Sequence, residues 1–131
     1  MKYKKCLFDT SALIALLKKE QGHEMLSEVL THSSISAVNF SELVAVLIRN
    51  NIEEKEIDEI LQDIVPEILP FDEKIAIKAG KIINITKEYG LSLGDRACIA
   101  TSIHYNIPVY TTDKVWEKIA KQLHLNVVVV R

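Results

Sequence analysis

No apolar run in this chain approaches the ~20 residues that a membrane-spanning helix needs, so no segment is expected to cross a bilayer. The basic start Met1-Lys2-Tyr3-Lys4-Lys5, followed by Cys6-Leu7-Phe8, has two signal-like features, but Asp9 interrupts the apolar stretch far too early for a secretion signal. A cytoplasmic location is the expectation. Cysteine is scarce. Cys6 and Cys98 lie in apolar surroundings without CxxC spacing and read as buried free thiols in a reducing compartment. Glycine is scarce too. The four at 22, 80, 90 and 94 form neither GxGxxG nor a P-loop, which argues against dinucleotide or nucleoside triphosphate binding. His23, His32, His104 and His124 lack paired ligand spacing, so zinc is not expected, and they read as surface or helix-end residues. There is no excess of positive charge. A net charge of −2 argues against indiscriminate binding to nucleic acid. It leaves open a nucleic-acid substrate handled by a local acidic site through metal ions. If four acids form such a site, the rest of the chain carries +2, and the lysines at 2, 4, 5, 18 and 19 read mostly as a solvated face.

What is present is a regular alternation. The 131 residues suit one domain with one core, and 48% apolar content is ordinary for a globular protein. Lys5 to Phe8 reads as a strand, followed by an apolar helix from Ala12 to Leu17 that Asp9 or Ser11 could cap. Gly22 breaks the pattern, and a short helix covers His23 to Leu30. Ser34 to Val38 reads as a strand. Phe40, Leu43, Val44, Leu47 and Ile48 stripe an amphipathic helix; Ile57, Ile60, Leu61 and Ile64 stripe another, closed by Pro66. Ile68-Leu69 is a minimal strand. Asp72 caps a longer helix, with Ile75, Ala79, Ile82 and Ile83 inward, that runs to Gly90. A helix begins at Gly94-Asp95 and continues to Asn106, where Pro108 ends it. Ile107 to Thr112 is a strand, Val115, Trp116, Ile119 and Leu123 stripe a last helix, and Asn126 to Val130 is a fully apolar final strand. Trp116 and Tyr110 read as core. Strands separated by helices imply crossover connections, a parallel sheet covered on both faces, and an open α/β sandwich.

In such folds ligands bind beyond the carboxyl ends of the strands. Asp9 and Asp113 directly follow predicted strands. The helix from Asp95 climbs about 18 Å and the next strand returns roughly 20 Å, so Asp113 emerges level with Asp95. Glu42 is expected in the first turn of its helix, at the same edge. Singly, each has a local explanation: Asp9 and Asp95 as helix caps, Glu42 as an acid favoured by the helix dipole, Asp113 as a turn residue. Together the local reading is weaker. Four unpaired carboxylates would repel and raise one another's pKa, and a divalent cation removes that cost. Hard oxygen ligands select Mg²⁺ or Mn²⁺, which activate water and steady the charge of a phosphoryl transfer.

Four stretches carry a resemblance: Phe8-Asp9-Thr10-Ser11-Ala12-Leu13, Ser36-Ala37-Val38-Asn39-Phe40-Ser41-Glu42-Leu43, Leu91-Ser92-Leu93-Gly94-Asp95-Arg96-Ala97 and Val109-Tyr110-Thr111-Thr112-Asp113. With them the sequence resembles the PIN-domain ribonucleases, in particular the VapC-type toxins of prokaryotic toxin–antitoxin pairs. The resemblance implies a single PIN-like domain over 1–131, a three-layer α/β/α sandwich with a central parallel sheet. It implies an endoribonuclease in which Asp9, Asp95 and Asp113 ligate Mg²⁺ or Mn²⁺ and Glu42 ligates or orients the water. Ser11 and Thr111 would hold the carboxylates, though they read equally well as helix-start and strand-end hydroxyls. Arg96 would contact substrate phosphate or neutralise a carboxylate, or is a solvated helix residue. The resemblance also implies a homodimer and a small antitoxin that lays a helix or tail into a groove over the site. Leu13, Leu16 and Leu17 and the helix from Ile57 to Ile64 could supply that surface, or pack the core. A toxin and a housekeeping RNA-processing nuclease are both compatible with these motifs.

Two other classes compete. A phosphoacceptor receiver domain needs a paired acid after its first strand, where Thr10 stands, and a central phosphoacceptor aspartate, which is missing; a dehalogenase-like phosphatase needs an acid where Ser11 stands. A non-catalytic α/β interaction module predicts that Asp95→Asn leaves function intact.

Overall fold

The computed structural model describes residues 5–64 and 67–131. Lys2, Lys4 and Pro66, with its expected helix stop, lie outside the described residues. Five strands, β1 (Cys6–Phe8), β2 (Ser33–Ser36), β3 (Ile68–Leu69), β4 (Val109–Thr111) and β5 (Val127–Val129), form one sheet in the order β3-β2-β1-β4-β5, every pair parallel. Eight helices flank it among the described residues: α1 (Thr10–Leu17), α2 (His23–Val29), α3 (Ala37–Arg49), α4 (Glu54–Ile64), α5 (Glu73–Lys81), α6 (Ile83–Thr86), α7 (Leu93–Tyr105) and α8 (Trp116–Leu123). The α/β/α sandwich expected from the sequence is what the chain forms. The receiver topology is set aside, since that fold orders its strands 2-1-3-4-5.

Side-chain alternation divides the core. Cys6, Phe8 and Ile35 face α1 to α4, where Leu13, Leu26, Leu43 and Ile57 meet them. Leu7 and Val109 face the other way, onto Ile82, Cys98, Ile99, Trp116 and Ile119. Both faces of β1 are therefore dry, which its Cys-Leu-Phe sequence suits. Both cysteines are buried and unbridged, and burial pushes the Cys6 thiol up to about 11. β2 is a central strand written Ser-Ser-Ile-Ser. Its buried hydroxyls are satisfied: Ser33 donates to the Leu30 carbonyl at 2.7 Å and Ser34 to Glu67 Oε1 at 2.6 Å.

Two expected elements differ. The helix from Asp72 to Gly90 is broken: α5 ends at Lys81, α6 begins at Ile83, and a 3₁₀ turn covers Lys87–Tyr89. The break turns Ile82 into the core and leaves Ile83 at 46% exposure, so only one of the two isoleucines is inward. β2 ends at Ser36, not Val38, because Ser36 caps α3 by accepting from the Asn39 N–H.

At the start of α2, Gly22 has φ +95°, and a Cβ there would run into the Val130 carbonyl oxygen. Gly22→Ala should therefore cost more than about 2 kcal/mol, from left-handed strain plus a backbone clash. Thermal melts of the purified variant check this, and an unchanged midpoint would refute it.

Candidate active site

The sheet reverses its strand order between β1 and β4, and a crevice opens beyond the carboxyl ends of those strands. Asp9 is the residue after β1. It caps α1, its Oδ1 accepting from the Ala12 N–H at 2.9 Å and from the Ser11 hydroxyl at 2.7 Å. Its Oδ2 accepts from the Thr111 hydroxyl at 2.6 Å. Thr111, the last residue of β4, also accepts from the Asp113 N–H at 3.1 Å, and Ser11 accepts from the Thr112 N–H at 3.1 Å. Two hydroxyls thus tie the ends of β1 and β4 around one carboxylate. That carboxylate is 4% exposed, and burial pushes Asp9 up to about 6. The Thr111, Ser11 and Ala12 hydrogen bonds hold it back, and the charge of Asp95 adds to the rise.

Asp95 does not cap α7. Ser92 does, and Asp95 is the third residue of the helix. Ser92 Oγ accepts from the Asp95 N–H, and Asp95 Oδ2 accepts in return from the Ser92 N–H at 3.0 Å and from its hydroxyl at 3.2 Å. This reciprocal box satisfies two orphan donors of the helix start. The half-buried Asp95 carboxyl is raised by burial and further by the charges of Glu42 and Asp113.

Glu42 sits in the second turn of α3, since the helix begins at Ala37, so the expected first-turn dipole contact is absent. Its Oε1 accepts from the Thr10 hydroxyl at 2.8 Å and from Asn39 Nδ2 at 2.9 Å. Asn39 is 2% exposed and reaches across to the Gly94 carbonyl at 3.2 Å, while its Oδ1 accepts from the Ser36 hydroxyl. Gly94 has no side chain, and a Cβ there would occupy the place of the Glu42 carboxyl group. Asp113 is half-buried and accepts from the Val115 N–H at 3.0 Å through Oδ1, an Asx turn.

All four acids and Ser11 line one cleft of about 420 Å³. Ala45, Val46 and Arg49 of α3 continue the wall. Arg96 is not among the lining residues; it is half-buried, and its Nε is buried without a partner among the described residues. Sequence reasoning gave no role to Thr10, Asn39 or Arg49. Asn39 lies three residues before Glu42, one helical turn away, which is the one available sequence signal for that pair.

Among the described residues, none of the four carboxylates is in a salt bridge. Nor do three His, Cys, Asp or Glu side chains there stand placed to hold one ion. Asp95 and Asp113 each turn an oxygen to their own segment's backbone instead. The chemistry of the donors nonetheless fits a hard divalent cation. They are carboxylate oxygens with no basic partner among the described residues, and burial, with a smaller contribution from mutual charge, raises Asp9 and Asp95.

A parallel sheet whose reversal point opens into an acid-lined crevice defines a class of α/β protein with a carboxylate centre. The PIN domain family matches residues 6–122, and the chain belongs to that family. PIN domains are generally nucleases, and those nucleases generally use divalent metal ions. Solved structures share the fold. A toxin–antitoxin complex from Klebsiella pneumoniae matches at 22% identity and TM-score 0.72, over 97% of this chain and 98% of that one. A DNA-bound VapBC from Salmonella typhimurium matches at 17% and 0.76, over 98% and 100%. VapBC-5 from Mycobacterium tuberculosis matches at 20% and 0.67, over 98% and 100%. No curated protein sequence matches significantly.

Proposed function

We propose that this protein is a Mg²⁺- or Mn²⁺-dependent endoribonuclease, the VapC-type toxin of a toxin–antitoxin pair, with residues 1–131 acting as one PIN-like unit in the cytoplasm. The observation that carries the reading is the convergence of Asp9, Glu42, Asp95 and Asp113 on one cleft in a PIN domain. These four would hold the cation, which when bound would lower the pKa of a water and neutralise charge on the phosphoryl oxygens. The chain's own contribution is preorganisation. Asp9 is fixed by three donors and cannot swing. Glu42 is held at Oε1 by Thr10 and Asn39, which leaves Oε2 to orient the attacking water. Ser11 and Thr111 keep the Asp9 oxygens in place.

Two features support an antitoxin partner. Neighbouring structures are toxin–antitoxin complexes. An apolar groove of about 210 Å³, lined by Leu17, Leu47, Ile52 and Ile60, adjoins the cleft through the shared Ile14 and Val46. A homodimer is part of the same reading.

Purified protein should cut cellular RNA into discrete fragments with Mn²⁺ or Mg²⁺. EDTA should stop the reaction, and Asp95→Asn should slow it more than about 100-fold. If neither wild type nor Asp95→Asn binds Mn²⁺ by calorimetry, the mechanism is wrong.

A further inference from the structure

Among the residues lining the acid cleft, one is a cation, Arg49. The geometry of α3 explains how it gets there. Seven residues separate Arg49 from Glu42, which at 100° per residue returns it to within about 20° of the same face, roughly 10 Å further along the axis. Ala45 and Val46 lie between them on the cleft wall. Both are apolar and carry no charge that would compete with the acids or the guanidinium for a strand. Arg49 is exposed and enters no salt bridge among the described residues, so its donors are available.

Building on the nuclease reading, we infer that Arg49 grips a backbone phosphate next to the scissile one and so sets where the RNA strand lies across the acids. Four carboxylates repel a polyanion wherever no cation covers them, so a strand needs a fixed positive anchor beside the acid end. An arginine fork binds two phosphate oxygens at once, which a lysine cannot do. Phosphate contacts fix register and carry no sequence information, so this anchor serves any RNA sequence. The rival explanation is local. Arg49 falls in the last turn of α3, where a cation favours the helix dipole. That role would move stability and leave RNA alone.

The experiment measures binding of a fluorescein-labelled single-stranded RNA of mixed sequence across a salt series, in the non-cleaving Asp95→Asn background. KM and kcat are measured in parallel with otherwise wild-type protein. Asp95→Asn with Arg49→Gln should bind about three- to tenfold more weakly, and its slope of log affinity on log salt should be shallower by about 0.7, one phosphate. Arg49→Gln alone should lose kcat/KM mainly through KM. Arg49→Lys should keep the slope and recover part of the affinity. Lys78→Gln makes the same charge change beside Ser102 and Asn126, outside the acid cleft, and should leave the slope unmoved. An unchanged slope in Arg49→Gln, or an equal change in Lys78→Gln, overturns the inference while the nuclease stands. If the wild type neither cuts nor binds RNA, the nuclease reading and this inference fall together.

Discussion

Asp9→Asn should abolish cleavage and stabilise the fold in the same stroke. Burial lifts the Asp9 carboxyl from 3.8 to about 6, so the folded state resists its ionisation. A group raised in this way contributes most to stability below the unfolded value. That contribution is lost as pH climbs through about 6. The difference corresponds to about 3 kcal/mol of stability forgone at pH 8, as an upper figure. Asparagine keeps an oxygen for the Ala12 N–H and for Ser11, and it is as good a helix cap. Its amide can donate to Thr111 in place of accepting. The melting midpoint of Asp9→Asn should exceed the wild type by roughly 5 °C or more at pH 8, and the gap should close near pH 4. Cleavage should fall more than about 100-fold. Mn²⁺ should narrow the gap at pH 8 by stabilising only the wild type, and its affinity for the wild type should drop as pH falls below about 6, where a proton competes. A variant less stable than wild type at pH 8 would show that the Asp9 hydrogen bonds outweigh the burial of its charge.

Gly94→Ala should separate activity from stability in another way. Gly94 is the second residue of α7 and has ordinary helical backbone, so alanine there gains up to about 1 kcal/mol of helix propensity. The new methyl displaces the Glu42 carboxyl group, the tip of a flexible side chain that can swing aside. Its bonds from Thr10 and Asn39 are then lost, at a cost of about 1–3 kcal/mol. The gain offsets part of that cost, leaving a net loss of roughly 0–2 kcal/mol in a melt. Turnover does not recover, because Glu42 leaves the cleft, and kcat should fall about 100-fold. Near-wild-type kcat would mean that the Glu42 position is immaterial to catalysis.

Much of this arrangement is legible in the residues. β1, β4 and β5 are short apolar runs bounded by an acid, a proline or a polar turn, so the edge where Asp9 and Asp113 emerge follows from pattern alone. Ser92 and Asp95 carry the S-x-x-D spacing of a reciprocal cap, but the buried helix draws attention to Asp95 as its first residue instead. Val38 misleads because it is β-branched. Ser36 caps the helix two residues earlier, and that shift moves Glu42 one turn inward. Gly80 stands two residues before the break at Ile82 and its carbonyl accepts the Ile82 N–H, but it does not fix which isoleucine turns in; tertiary packing decides that. Asn39 reaches the Gly94 carbonyl only when α3 is laid against α7, which no local pattern encodes. Arg49 shares the Glu42 face by helical spacing, but only the assembled fold makes that face a cleft wall.

The hydrogen bond from Thr111 to Asp9 spans 102 residues. Its two ends lie at adjacent strands in the middle of the sheet, Asp9 directly after β1 and Thr111 closing β4, so one leaves the ribosome well before the other. A nascent chain that has already exposed Asp9, Glu42 and Asp95 still lacks the strand that completes the crevice. Pairing across so long a loop comes late in folding. Products truncated or stalled before β4 therefore have no assembled centre, and whatever chemistry this protein performs is withheld until that strand has been made.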